Sequence, residues 1–152
     1  MASIQIKANT KLSPKQFITA LTDFGPKRSS LWGNSQEAYF VMHANGANWA
    51  EVTEGSNIFG GVWERLRYDW SKPNRITLKT IDSNFWTNGS GWQYDITTAA
   101  DGSGTTISYT ITRFPKTIKA HFAVVILGLI GKSVLKRDFQ KTLSKIEFKQ
   151  RA

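Results

Sequence analysis

The stretch TTISYTITRFPKTIKAHFAVVILGLIGKSVLKRDFQKTLSKIE, residues 105–147, changes its period partway along. Up to Phe114, Ile107, Tyr109 and Ile111 alternate with Ser108, Thr110 and Thr112, which predicts a half-buried strand and puts Arg113 on its apolar face. Pro115 closes the strand at a position where a missing N–H costs little. From Lys116 to about Glu147 the spacing is helical: Leu135, Phe139, Leu143 and Ile146 share one face, with Lys136, Arg137, Lys141 and Lys145 elsewhere. A strand that runs straight into a long helix calls for a sheet on which that helix can lie.

That sheet is readable upstream. Strand-like runs cover Ala38–His43, Trp49–Glu54, Gly61–Trp70, Arg75–Asp82 and Gly91–Thr98, and a short one covers Ser3–Ala8. The breaks Asn45-Gly46, Gly55-Ser56-Asn57, Lys72-Pro73-Asn74, Asn88-Gly89 and Asp101-Gly102 are turn chemistry. Such short connections imply antiparallel neighbours in a meander. Between the first strand and the meander, Ser13-Pro14-Lys15-Gln16 predicts a capped helix start, followed by Phe17, Ile18 and Leu21 at helical spacing and ended by Gly25-Pro26. A second short helix is expected around Leu31 and Trp32, before Gly33-Asn34. The expected class is α+β: a curved antiparallel seven-stranded sheet around a long C-terminal helix, one domain over residues 1–152.

Composition narrows the function. With 40% hydrophobic and 20% charged residues the chain is a folded globular one. It has no Cys, which excludes disulfide scaffolds, thiol catalysis and Cys-ligated metal. His43 and His121 stand on different elements without a carboxylate cluster, so no metal site is expected. No P-loop, dinucleotide fingerprint or nucleophile elbow occurs, and no cofactor is expected. The N-terminus lacks a signal-peptide pattern, and the apolar run from Ala120 to Gly131 is short for a membrane span, so the expected location is cytoplasmic. The net charge is +9; nine Lys or Arg against Asp138 and Glu147 put +7 of it beyond Pro115. No nucleic-acid-binding motif accompanies this charge, and no nucleic-acid partner is expected.

The order strand, two short helices, six-stranded meander and long helix resembles the START-like helix-grip fold of the SRPBCC superfamily, which includes polyketide cyclase/dehydratase-like proteins. Locally, Gly61-Val62-Trp63-Glu64-Arg65-Leu66-Arg67-Tyr68-Asp69-Trp70-Ser71-Lys72-Pro73, Thr80-Ile81-Asp82-Ser83-Asn84 and Gly89-Ser90-Gly91-Trp92 are similar to bacterial members. The resemblance implies a hydrophobic cavity between sheet and last helix, and a fold that hosts carriers, receptors and cyclases alike. The glycine-rich loop of the plant members has no counterpart, so hormone binding is not implied.

Strand parity then assigns faces. Val62, Glu64, Leu66, Tyr68 and Trp70 share the apolar face of their strand, which carries Glu64 inward, where it needs a partner; Arg113 is a candidate. Glu64 reads most economically as a satisfied polar group near a strand end. Its functional reading is a ligand anchor or a general acid/base. Phe40, Trp92, Tyr94 and Tyr109 also fall on apolar faces, and Trp32, Phe85 and Trp86 lie where they would rim an entrance. Carrying the stripe of the last helix backwards gives Gly131, Gly128, Val124 and Ala120, a face of small residues that implies close packing, a bend or room for a ligand.

The expected ligand-binding set is therefore Phe40, Glu64, Leu66, Tyr68, Trp92, Tyr94, Tyr109, Arg113, Val124, Gly128 and Gly131. The expected partner is a small hydrophobic ligand, a lipid or polyketide-like metabolite, with a cyclase or dehydratase as the alternative. Phe122, Val125, Ile126, Leu129 and Ile130 exceed what one sheet can bury. Burial under the first helices is expected for them, then a homodimer contact, then a membrane surface; the chain is expected to be a monomer or homodimer.

Overall fold

The computed structural model describes residues 1–151. Its seven strands are β1 (Ala2–Thr10), β2 (Val41–Asn45), β3 (Trp49–Ser56), β4 (Val62–Lys72), β5 (Arg75–Ser83), β6 (Gly91–Thr98) and β7 (Thr105–Arg113). They form one antiparallel sheet in the order β1-β7-β6-β5-β4-β3-β2. The meander is the expected one, and β1 closes it by pairing with β7, Ile4 opposite Ile111 and Ile6 opposite Tyr109. Alternation is legible in the sequence because only one sheet face is buried: β7 alternates buried and half-buried residues along its whole length.

Helix α1 (Pro14–Leu21) starts as its sequence predicts. Ser13 Oγ accepts from the Gln16 N–H at 3.1 Å, and Gln16 Oε1 accepts from the Ser13 N–H at 2.9 Å, a complete capping box. The second helix is a single 3₁₀ turn, Arg28–Ser30, which ends before Leu31 and Trp32. Another 3₁₀ turn occupies Glu37–Tyr39, so the first meander strand begins at Val41 rather than Ala38.

The C-terminal helix is continuous over Ile118–Arg151 in three parts: α2 (Ile118–Ile126), a π-helical turn (Leu127–Gly131) and α3 (Lys132–Arg151). Thr117 caps its start by accepting from the Ala120 N–H. Phe139, Leu143 and Ile146 on α3 are buried, as the stripe predicts. They complete a core with Phe17, Leu21, Tyr94 and Tyr109, in which the Phe17–Tyr94, Phe17–Phe139, Tyr94–Tyr109 and Tyr109–Phe139 ring centroids lie 5.0–6.1 Å apart.

Two expectations for the helix are corrected. The π turn closes i→i+5 hydrogen bonds and shifts the helix face. Leu127 therefore turns toward the protein and Gly128 faces outward, with nothing within 4 Å of where its Cβ would stand. Gly131 is the close contact: a Cβ there would come within 2.7 Å of Leu127 Cδ1 and 3.1 Å of Ile4 Cδ1. The apolar residues of α2 and the π turn are not covered by the first helices. Those helices lie over the α3 end, and Phe122, Val125, Ile126, Leu129 and Ile130 stay exposed.

The far end of α3 is fastened to the end of β1. Glu147 Oε1 accepts from Thr10 Oγ1 at 2.6 Å and from the Lys11 N–H at 2.9 Å. These hydrogen bonds, Thr10 first, hold the Glu147 carboxyl below its ordinary value. A depressed carboxylate contributes stability above its unfolded-state value and loses it as pH falls through the folded one. Glu147→Gln is thus expected to lower the melting temperature near neutrality and to converge with the parent protein as pH falls from about 5 to about 3. Thermal melts of both proteins across that range check it; a gap that stays constant rejects the clamp. The group is half-buried and keeps contact with solvent, so the effect is small.

Candidate functional site

The turn after β5 builds the site. Ser83 Oγ donates to the Trp63 carbonyl and accepts from the N–H groups of Phe85 and Trp86, folding the chain back over the inner face. Asn84 ties the same turn to the start of β4, accepting from the Trp63 N–H and donating to the Gly61 carbonyl. The returning segment pairs with the end of β7: Trp86 bridges to Pro115, and the Thr87 N–H donates to the Phe114 carbonyl. Phe85 and Trp86 are buried as a result. They do not rim an entrance but form a second apolar cluster with Val62, Ala120 and Ala123, against which Val124 packs. Trp32 is likewise buried in the main core.

Between the two clusters lies an ion pair. Glu64 stands on β4 between Val62 and Leu66, and the Arg113 guanidinium reaches it from the end of β7 with both terminal nitrogens, each at 3.1 Å from a carboxylate oxygen. Thr80 Oγ1 donates to Glu64 Oε2 at 2.8 Å. The side chains of Arg113 and Glu64 keep only 5% and 8% of their exposure. Arg113 also lies over two indoles, 4.0 Å from the Trp92 ring centroid and 4.9 Å from that of Trp86. A guanidinium bracketed this way retains cation–π attraction even when its carboxylate is disturbed.

Strand parity thus places Glu64 and Arg113 together, and Trp92 joins them. Tyr109 shares their face, four residues before Arg113 along β7. Burial pushes its phenol above the ordinary tyrosine range, with Arg113 opposing, so it is a protonated hydrogen-bond donor at neutral pH. Tyr94 stacks on Tyr109 at 5.0 Å and is pushed up by burial in the same way. Leu66 and Tyr68 are fully buried in the main core. Phe40 is not on the sheet: it ends the 3₁₀ turn before β2 and stacks on Phe24 at 6.2 Å. Val124 and Gly131 flank the inner side of the helix, whereas Gly128 lies outside it.

A second buried ion pair has no place in the sequence reading. Arg28 Nε donates to Glu54 Oε1 at 2.6 Å, its Nη1 donates to the carbonyls of Leu21 and Asp23, and its Nη2 donates to the Tyr68 hydroxyl at 2.8 Å. Tyr68 in turn donates to Glu54 Oε2. Burial opposes the Arg28 charge, but Tyr68 and Glu54 outweigh it and hold the guanidinium above its ordinary value. The Tyr68 phenol is pushed well up, by burial first and by Glu54 next. Every polar atom here is paired, which makes this group a structural tie between α1, the loop after it, β3 and β4.

The inner face keeps some access despite this packing. Ile4 and Trp92 on the sheet, and Val124, Leu127 and Leu135 on the helix, are only half-buried. Two open depressions lie elsewhere, on the flank of α3. One is lined by Ser30, Leu31, Ser144, Lys145, Phe148 and Lys149, the other by polar and basic residues from Ser133 to Lys145. Neither includes Glu64 or Arg113. Among the described residues no group of His, Cys, Asp and Glu could hold a metal ion.

No protein-family model matches the sequence, and no curated protein does. Solved structures do match. The Zhui aromatase/cyclase from a Streptomyces species superposes with a TM-score of 0.76 at 10% identity, over 99% of this chain and 96% of that one. A START superfamily protein from Mycobacterium smegmatis gives 0.70 at 9% identity, over 95% and 98%. The di-domain ARO/CYC StfQ from the steffimycin biosynthetic pathway gives 0.67 at 12% identity, over 98% of this chain and 51% of that one. At 9–12% identity the likeness is one of architecture, and the chain has the START-like helix-grip fold that these proteins share.

Proposed function

We propose that this protein binds a small, largely apolar molecule between the inner sheet face and the α2 part of the last helix, with an oxygen-bearing end at Arg113. The observation that carries the reading is the Glu64–Arg113 pair itself, buried between two apolar clusters and bracketed by Trp86 and Trp92. A few placed polar groups in an otherwise apolar lining are what orients a ligand in such a site. The half-buried ring of Ile4, Trp92, Val124, Leu127 and Leu135 supports an approach along the inner side of the helix. The small residues Ala120, Ala123 and Gly131 let α2 and the π turn lie close to the sheet, while Trp92 stays half-buried.

A second reading, a cyclase- or dehydratase-like enzyme, is favoured by Tyr109. Its phenol shares the inner face with Arg113, so a hydrogen-bond donor and a cation would stabilise negative charge developing on the same carbonyl-rich chain; pushed above the ordinary tyrosine range, the phenol is a donor rather than a proton source. Glu64 fits proton transfer less well, because Arg113 and Thr80 already engage both of its oxygens. Binding therefore stands first.

One experiment separates the readings. Purified protein is extracted into organic solvent for mass spectrometry, and the stripped protein is melted with each extracted compound and with a panel of lipids and aromatic polyketides. Binding predicts a co-purifying apolar compound that raises the melting temperature, equivalent to about 2.7 kcal/mol at a hundredfold excess over Kd. An enzyme would also convert the compound to a product of different mass during incubation. An empty extract and no shift across the panel would overturn both.

A further inference from the structure

From Phe122 to Gly131 the α2 and π-turn segment is apolar on every face, yet the fold covers one side of it. Ala120, Ala123 and Gly131 are buried and Val124 and Leu127 half-buried, while Ile118, Phe122, Val125, Ile126, Leu129 and Ile130 are 46–79% exposed. A helix that is hydrophobic on every face is normally enclosed, by protein or by lipid. The adjoining 3₁₀ turn Ile58–Gly60 widens this surface. Ile58 and Phe59 are exposed, Phe59 stacks on Phe85 at 5.6 Å, and Gly60 sits beside Lys119. Phe59 is held at φ 50°, in the left-handed region that a bulky side chain seldom adopts.

We infer that this surface docks on an anionic phospholipid membrane, with α2 lying in the plane of the headgroups. The charges select this occupant. Lys119 precedes the apolar stretch and Lys132 and Lys136 follow it, all exposed and without an ion pair among the described residues. No Asp or Glu occurs from Lys116 to Arg137. A second copy fits poorly. An antiparallel two-fold contact centred on Val125 and Ile126 sets Lys119 against Lys132 of the other copy, and a parallel one sets each lysine against itself. A bilayer has no such conflict: the apolar side chains enter the acyl boundary, and the flanking lysines reach the phosphates.

By length and composition the helix Ile118–Arg151 could cross a membrane, but its geometry does not suit crossing. Its inner side is packed on the sheet through Ala120, Ala123 and Gly131, and α3 is fastened to β1 by Glu147 and by Gln140, which donates to the Asn9 carbonyl. The exposed side alone is free for lipid. This surface does not depend on whether the interior holds a ligand.

The test is co-sedimentation of the full chain with phosphatidylcholine vesicles and with vesicles that also contain phosphatidylglycerol, at low and high salt. Docking predicts sedimentation with the anionic vesicles that weakens as salt rises. Phe122→Asp with Leu129→Asp changes only exposed side chains; its melting temperature is checked first, and it should reduce partitioning by about tenfold or more. Lys119→Glu with Lys132→Glu should abolish the preference for anionic lipid. No sedimentation with anionic vesicles at low salt overturns the inference. So does binding that the two aspartates leave unchanged, which would assign it to the α3 lysines alone. Sedimentation equilibrium showing a dimer that the same aspartates dissociate would give the surface to a second copy and overturn it as well.

Discussion

Arg28→Met is expected to lower stability by about 3–5 kcal/mol, the cost of stranding a buried carboxylate. The arginine is enclosed, with 4% of its side chain exposed and 1% of that of Glu54. Met replaces the stem but leaves the Glu54 carboxylate buried with Tyr68 as its one remaining donor, and it frees the Leu21 and Asp23 carbonyls. An uncompensated buried charge costs more than the pair itself contributes, so the damage should be asymmetric. Arg28→Met combined with Glu54→Leu is expected to recover a large part of the loss, because an apolar pair of similar volume carries no stranded charge. Tyr68→Phe removes one hydroxyl from between the two and should cost about 1–3 kcal/mol. Urea titrations of the four proteins measure these differences, and in thermal melts Arg28→Met should fall by on the order of 10 °C. If the double variant is no more stable than Arg28→Met alone, the pair is not what holds the loop after α1 in place.

This ion pair also marks a boundary in what the sequence discloses. Parity along Gly61–Trp70 places Glu64 on the inner face, and the structure puts it there with Arg113. The same rule applied to Trp49–Glu54 puts Ala50, Val52 and Glu54 on one face, so Glu54 was legible by a step as simple as the one that found Glu64. Arg28 carries no comparable signal. It opens a single 3₁₀ turn, too short to show a period, and its direction is set by the Leu21 and Asp23 carbonyls at the end of α1 and just beyond, and by Glu54 and Tyr68 on distant strands. The strands and α1 are legible because local chemistry decides them: alternation, turn dipeptides, a capping box.

The last helix behaves differently. Spacing at 3.6 residues projects Gly128 inward, but the π turn adds to the count and Leu127 takes that side. Apolarity likewise does not say what will cover a residue. Burial of Phe122 and Leu129 would need an element over α2, and the chain sends its two early helical segments to the α3 end, where Phe17 and Leu21 meet Phe139 and Leu143. The aromatics divide for the same reason: Tyr94 and Tyr109 fill the core, Phe85 and Trp86 form a second cluster, and Trp92 alone among the inner-facing sheet aromatics stands both half-buried and beside a charge.

Glu64 and Arg113 should respond unequally to substitution, and the inequality tests the site. Glu64→Gln keeps an acceptor for Thr80 and leaves a guanidinium that still lies between two indoles, so a loss of about 1–3 kcal/mol is expected. Arg113→Met leaves a carboxylate facing apolar side chains with Thr80 as its single donor, and a loss of about 3–5 kcal/mol is expected. The double variant should be more stable than Arg113→Met alone, since it removes the stranded charge. Ligand affinity should follow another order. If Arg113 anchors the oxygen-bearing end of a bound molecule, Arg113→Met and the double variant both lose about tenfold or more in Kd, the weight of one charge-assisted hydrogen bond. Glu64→Gln, by releasing the guanidinium from its competing carboxylate, should bind an anionic or carbonyl-bearing ligand more tightly than the parent protein. Stability from urea titration and affinity from calorimetry with the extracted compound therefore rank the variants differently. Arg113→Met with unchanged affinity would place the anchor elsewhere and leave Glu64 and Arg113 as a structural pair, like Arg28 and Glu54.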